Sequence, residues 1–156
     1  MEIRRATVGD ARAIADVHVR TWQGAYEHVF GAERLAALTV EQRLPGWQRI
    51  LRQEELHVFV AEEAGRIVGF VAVGEGEVSG IYVEPEAWGS PAGTALMRAG
   101  LDELRTLGYT SAVLRVLEDN PRARRFYERE GWHVDGRVEG EHMGMRTAEV
   151  RYRIEL

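Results

Sequence analysis

The sequence predicts an α+β fold: one domain over residues 1–156, with helices packed on a single sheet of about seven strands. Three observations point there. Segments of strand and helix periodicity interleave along the chain in the order βααβββαβαββ. Two pairs of those strands read as hairpins, which makes much of the sheet antiparallel. Residues 112–132, AVLRVLEDNPRARRFYEREGW, read as a strand, a sharp turn and a short helix.

Each element has its own signal. Ile3 to Ala6 reads as a short first strand. Gly9-Asp10 opens a helix through about Trp22, with Ile14, Val17 and Thr21 on one face. Residues 23–53 read as helical pieces, broken at Gly24, Gly31 and the Pro45-Gly46 pair. Thr39-x-x-Gln42 is a capping-box pattern that opens one of them. His57 to Glu62 and Arg66 to Val73 read as strands, with Glu63-Ala64-Gly65 as their hairpin turn. Glu77 to Val83 is a third strand of the same layer. Pro91 to Leu107 is the longest helix, with Met97, Leu101 and Leu104 as its apolar stripe and Gly108 as its stop. Trp132 to Val138 and Thr147 to Glu155 read as a closing hairpin. In the second, Val150, Tyr152 and Ile154 alternate with charged residues, the period of a strand with one buried face. An exposed final strand would allow pairing into a homodimer.

Composition narrows the function. At 156 residues, 45% hydrophobic and 29% charged, the chain can build one core of ordinary globular type. No apolar run approaches the roughly 20 residues of a membrane span. The N-terminus lacks an apolar leader stretch, so no signal peptide and a cytoplasmic location are expected. There are no cysteines, which excludes disulfides, thiolate metal sites and a cysteine nucleophile. The five histidines show no ligand spacing, so no metal is expected. A net charge of -5 argues against a nucleic-acid grip and suits a cationic partner such as an amine, although small acidic charges also serve solubility.

The segment 112–132 carries the chemistry. Asn120 suits a helix N-cap and Pro121 the first helical position. Ala123, Phe126 and Tyr127 fall at i, i+3 and i+4 on one face, and Gly131 stops the helix. A Tyr on a buried face and an Asn at a helix start thus stand near the end of one strand, where α/β layers bind ligands. Taken alone, the same face is also what an ordinary core Tyr would give.

The pattern N-x-x-A-x-x-F-Y-x-x-x-G-[FW], met by Asn120, Ala123, Phe126, Tyr127, Gly131 and Trp132, resembles the C-terminal motif of the GCN5-related N-acetyltransferases, the GNAT superfamily. The element order is also that superfamily's, so the resemblance covers almost the whole chain. It implies a three-layer α/β/α sandwich on a central mixed, mostly antiparallel sheet. It implies acetyl-CoA as cosubstrate, Asn120 against the pantetheine arm, and the Tyr127 hydroxyl beside the sulfur as acid for the leaving thiolate. A phenol near pKa ~10 and a thiol near ~8.5 make that transfer feasible.

Ile81-Tyr82-Val83 leads through Glu84-Pro85 to Trp88-Gly89-Ser90-Pro91-Ala92-Gly93-Thr94 and a helix. A strand, a small-residue loop and a helix N-terminus form an anion site. The superfamily binds the CoA pyrophosphate on a Q/R-x-x-G-x-G/A loop here. Gly93 matches its last Gly, Trp88 stands at its first position and Pro91 replaces its central Gly. Proline has no N–H for a phosphate oxygen, and one lost charge-assisted bond is worth roughly 1.5–3 kcal/mol. Ser90 and Pro91 also simply start a helix, and the N–H groups of Ala92, Gly93 and Thr94 remain. The resemblance puts the pantetheine and thioester against the backbone of Ile81 and Val83, on a bulged strand that splays from its neighbour.

The remaining roles are more open. Glu77 matches a common acidic position of the superfamily and would serve as base through burial or a water relay, or as a contact to a cationic substrate, or would merely face water. Trp22 and Tyr26 resemble a W-x-x-x-Y segment that lines the acceptor pocket in one bacterial subgroup, and at i, i+4 they also suit a core aromatic pair. Arg122, Arg124, Arg125 and Arg129 form a basic cluster in which Arg125 is the candidate for the 3′-phosphate of CoA; a solvated helix face is the alternative. The function expected is transfer of an acetyl group to a primary amine of a small molecule, in a ternary complex because no cysteine can carry it. A protein N-terminal or lysine acetyltransferase, or a non-catalytic CoA-binding module, fits the same residues.

Overall fold

A computed structural model describes all residues, Met1–Leu156. One seven-stranded sheet runs through the molecule in the order β1-β2-β3-β4-β5-β7-β6. The strands are β1 (Glu2–Arg5), β2 (His57–Glu63), β3 (Arg66–Gly74), β4 (Glu77–Val83), β5 (Ser111–Leu117), β6 (His133–His142) and β7 (Met145–Glu155). Every neighbouring pair is antiparallel except β4 and β5, which are parallel. The mixed, mostly antiparallel sheet expected from the sequence is therefore present.

Helices cover both faces. On one lie α1 (Ala11–Ala25) and α4 (Val40–Gln53), with two short helices, α2 (Glu27–Phe30) and α3 (Ala32–Ala36), between them. Ile14, Val17 and Trp47 pack there against Val58, Val60 and Phe70 of the sheet. On the other face lie α5 (Ala92–Thr106) and α6 (Pro121–Arg129). Leu96, Met97, Leu101 and Leu104 of α5 meet Val71 and Val73 there, and Tyr127 of α6 joins the same cluster. Each such side chain, once buried, contributes roughly 1.5–3 kcal/mol. The three layers follow from the strand period: Phe70 and Ala72 face one helix layer while Val71 and Val73 face the other.

Four details differ from expectation. Gly24 does not end α1; it lies within it, because a Cβ there would stand 2.8 Å from Pro85 Cγ, so the missing side chain admits the β4–α5 loop. Pro45-Gly46 does not break α4 either. The helix runs through Pro45, held at its start by the Thr39–Gln42 capping box and beyond it by buried Trp47. The closing hairpin is longer than its apolar alternation suggests. Met143 and Gly144, both at positive φ, make a two-residue turn that extends pairing to His142↔Met145. Finally, β7 is inserted between β5 and β6, so the free edge at this end of the sheet is β6 and not the last strand.

Candidate active site

The site begins where the one parallel pair comes apart. β4 and β5 are in register only at Glu77↔Val113, and the Val113 N–H donates to Gly76 O at 3.0 Å. Beyond that apex the strands diverge. On its other side β4 stays paired with β3 along its length, with a bulge that leaves Ser79 as the extra residue between Gly80 and Val78. The Glu84 N–H donates to Val68 O at 2.9 Å. Antiparallel alternation then directs Tyr82 and Gly80 toward β3 and turns the N–H and C=O of Ile81 and Val83 into the gap. The Val83 carbonyl accepts from Trp88 Nε1 at 2.7 Å and from Thr21 Oγ1 at 3.3 Å.

The gap opens into a cavity of about 470 Å³ that runs from the start of α5 to the β6–β7 hairpin, within the size range of small-ligand sites. At the α5 end the loop is pinned by Glu84, which is 1% exposed and bonded by Arg20 (2.5 Å) and Arg66. Arg66 foremost, then Arg20, holds its carboxyl below the usual range. Ser90 Oγ accepts the Ala92 N–H at 3.3 Å. Gly93 lets α6 approach: a Cβ there would touch the Phe126 ring at 3.3 Å. Thr94 Oγ1 donates to Glu130 at 3.1 Å. Trp88, Gly89, Ser90, Gly93 and Thr94 all line the cavity, whereas Ala92 is fully buried beneath it.

Arg122, not Arg125, supplies a cation to this end. Its guanidinium stacks 3.5 Å from the centroid of the Trp88 ring, lines the cavity and has no carboxylate partner. Burial pulls its pKa down from the ordinary arginine value. Arg125 projects from the exposed side of α6 and does not reach the cavity.

Tyr127 stands in the middle of the cavity, 8% exposed, and its hydroxyl has no partner within the protein. Burial, with the neighbouring phenols of Tyr82 and Tyr26, pushes its pKa well above the tyrosine range, so the proton stays on. Asn120 caps α6, its Oδ1 accepting the Ala123 N–H at 3.1 Å, while its Nδ2 donates to Tyr26 Oη at 3.0 Å. One buried side chain thus ties α6 to the end of α1.

This arrangement has known counterparts. The model of the Acetyltransferase (GNAT) family matches residues 13–132. The chain belongs to the GNAT family. The uncharacterized N-acetyltransferase YuaI of Bacillus subtilis is 32% identical over 130 residues, covering 76% of this chain and 73% of its own. A crystal structure of a GCN5-related N-acetyltransferase from Rhodopseudomonas palustris superposes with a TM-score of 0.83 at 19% identity, over 99% of this chain and 95% of the other. The structure of yncA, a putative acetyltransferase from Salmonella typhimurium with its cofactor acetyl-CoA, gives 0.75 at 21% identity, over 99% and 93%. The fold is that of the GNAT enzymes, and the chain is an N-acetyltransferase.

At the hairpin end of this GNAT cavity the walls are aromatic. Trp22 and Tyr26 line it with ring centroids 4.7 Å apart, and Trp22 Nε1 donates to Tyr82 Oη at 3.4 Å. Behind them His18 stacks on Tyr82 at 5.3 Å and accepts from Trp47 Nε1 on Nδ1 at 3.2 Å. Burial, then Arg43, lowers the His18 pKa to about 4. The structure does not bring Glu77 to this group. It sits at the closed apex of the β4–β5 split, in an acidic depression with Glu55 and Glu75 that meets the cavity only at Ser79. Two residues to which the sequence assigns no site role, His142 and Glu149, line the cavity instead. The signal was available in the Met143-Gly144 pair, whose turn fixes the register that carries them there. No group of three or more His, Asp or Glu is placed to hold a metal ion.

Proposed function

We propose that the protein transfers the acetyl group of acetyl-CoA to a primary amine of a small molecule, directly, within a ternary complex. The observation that carries this reading is the β4–β5 split, where the open N–H and C=O of Ile81 and the N–H of Val83 share one cavity with the unpartnered Tyr127 hydroxyl. The yncA structure with acetyl-CoA supports the choice of cosubstrate.

The residues present fit that ligand. Free N–H groups of Gly93 and Thr94 at the start of α5, with the Arg122 guanidinium, form the anion end. Pro91 offers no N–H there, and Arg122 supplies charge that the loop lacks. The N–H and C=O of Ile81 and the N–H of Val83 hold the pantetheine arm as an added strand would be held, and an N–H on β4 polarises the thioester oxygen. The amine nitrogen attacks the carbonyl carbon, a C–N bond forms, the C–S bond breaks, and Tyr127 gives its proton to the sulfur. Its raised pKa would make it a weak acid in water, but a thiolate in the same dry cavity is desolvated too and more basic for it. The chain has no cysteine, so no acetyl-thiol form of the protein intervenes.

The experiment is thiol release from acetyl-CoA with a panel of primary amines. Amine-dependent release with formation of the N-acetyl product is expected. Binding of acetyl-CoA without release on any amine, small or peptidic, would contradict an enzyme reading.

A further inference from the structure

We infer that Glu149 is the counter-ion for the acceptor's ammonium group, and that the acceptor is a protonated primary amine carried on an apolar stem. This rests on the acetyl-transfer reading above and extends it to the other end of the same cavity.

Glu149 lies on β7 opposite Leu117 of β5 and Val138 of β6. Leu117 packs with Tyr26 and Trp22, so Glu149, its cross-strand partner, faces the same aromatic pocket. Its side chain is only 18% exposed and accepts no hydrogen bond from the protein. The one group that approaches is His142, whose Nε2 stands 3.6 Å from Glu149 Oε2 while its Nδ1 is bonded to Thr147 Oγ1 at 2.7 Å. Three other cations share this face of the sheet. Arg153 pairs with Glu155 at 2.8 Å, Arg151 pairs with Asp135 at 2.9 Å through Nη2 while its Nε has no partner, and Arg115, diagonal to Glu149 across β5 and β7, makes no ion pair.

A carboxylate this far from water is costly unless a cation or a donor meets it. The protein brings only the His142 ring to it, at 3.6 Å, beyond hydrogen-bond distance. The same cavity is lined by the rings of Trp22, Tyr26 and Tyr82, and the Trp22 ring lies 6.1 Å from that of His142 beside Glu149. A carboxylate floor with aromatic walls is complementary to an alkylammonium: the charge is met by the carboxylate and by ring faces, and the stem by carbon. His142 is the positioning residue, bridging Thr147 and Glu149 across the hairpin. Glu149 holds the cation at the site, and the ammonium gives up one proton to solvent before its neutral nitrogen attacks. The second amine proton, freed once the C–N bond has formed, restores Tyr127 after it has protonated the sulfur.

The test is steady-state kinetics with acetyl-CoA and phenethylamine for the wild type, Glu149→Gln and Glu149→Asp, with acetyl-CoA affinity measured by calorimetry on the same proteins. The wild type should acetylate phenethylamine. Glu149→Gln keeps the shape and loses the charge; its KM for the amine should rise at least about tenfold, while acetyl-CoA affinity changes less than about twofold. Glu149→Asp, which keeps the charge, should fall between. The neutral analogue 2-phenylethanol should not compete. An unchanged amine KM in Glu149→Gln, competition by the alcohol, or acetyl-CoA binding with no turnover of phenethylamine would each overturn the inference while leaving acetyl transfer standing. Failure of the wild type to bind acetyl-CoA would overturn both.

Discussion

Asn120→Ala should destabilise the protein by about 2 kcal/mol, and the structure says how that figure divides. The Oδ1 cap on the Ala123 N–H, at 3.1 Å, is worth about 1 kcal/mol. The Nδ2 bond to Tyr26 Oη, at 3.0 Å between residues 7% and 5% exposed, adds about 1 kcal/mol net. For a chain of this length the sum corresponds to a fall in Tm of about 4–8 °C. Asn120→Ser keeps a capping oxygen and should lose about half as much. Urea denaturation of Asn120→Ala, Tyr26→Phe and the double variant should return a coupling of about 1 kcal/mol, because both singles break the same bond. An Asn120→Ala protein within about 0.5 kcal/mol of wild type would refute the reasoning, and additive singles would refute the contact between α1 and α6.

Three further outcomes are expected. Tyr127→Phe should lower kcat by roughly 10²–10⁴-fold with acetyl-CoA affinity and Tm nearly unchanged, read by thiol release and calorimetry. Arg122→Ala should weaken acetyl-CoA binding about tenfold or more, whereas Arg125→Ala, on the exposed side of α6, should leave it within about twofold; calorimetry on the pair decides between the two arginines. Half-buried His18 has a folded pKa of about 4 against 6.5 for the free side chain, so the unfolded chain binds more protons between these values and stability falls as pH drops from about 6.5 to 4. Comparison with His18→Gln by denaturation across that range should attribute up to about 3 kcal/mol to this residue, and parallel curves for the two proteins would refute it.

Much of the frame was legible because local signals and tertiary demands agree. The α1 stripe of Ile14, Val17 and Thr21 and the α5 stripe of Met97, Leu101 and Leu104 are all buried as their spacing implies. The Asn120-Pro121 start of α6 and the Ala64-Gly65 turn follow from capping and positive φ. What was not legible depends on contacts made far along the chain. Gly24 reads as a breaker until Pro85 is seen against it. Glu77 reads as a site residue because it starts β4, but parallel pairing with Val113 closes the sheet there. Four arginines on one short helix look alike in sequence; Arg122 and Arg129 line the cavity, and the approach of Trp88 selects Arg122. Glu149 was hidden by register. Its side of the sheet follows from a hairpin that pairs as far as His142, beyond the end of the apolar alternation.

The central claim is that the split between β4 and β5 receives acetyl-CoA. Titrating the protein with acetyl-CoA in a calorimeter tests it most directly. A saturable isotherm near one ligand per chain is predicted, weakened in Arg122→Ala. No heat and no rise in Tm at millimolar acetyl-CoA would contradict it.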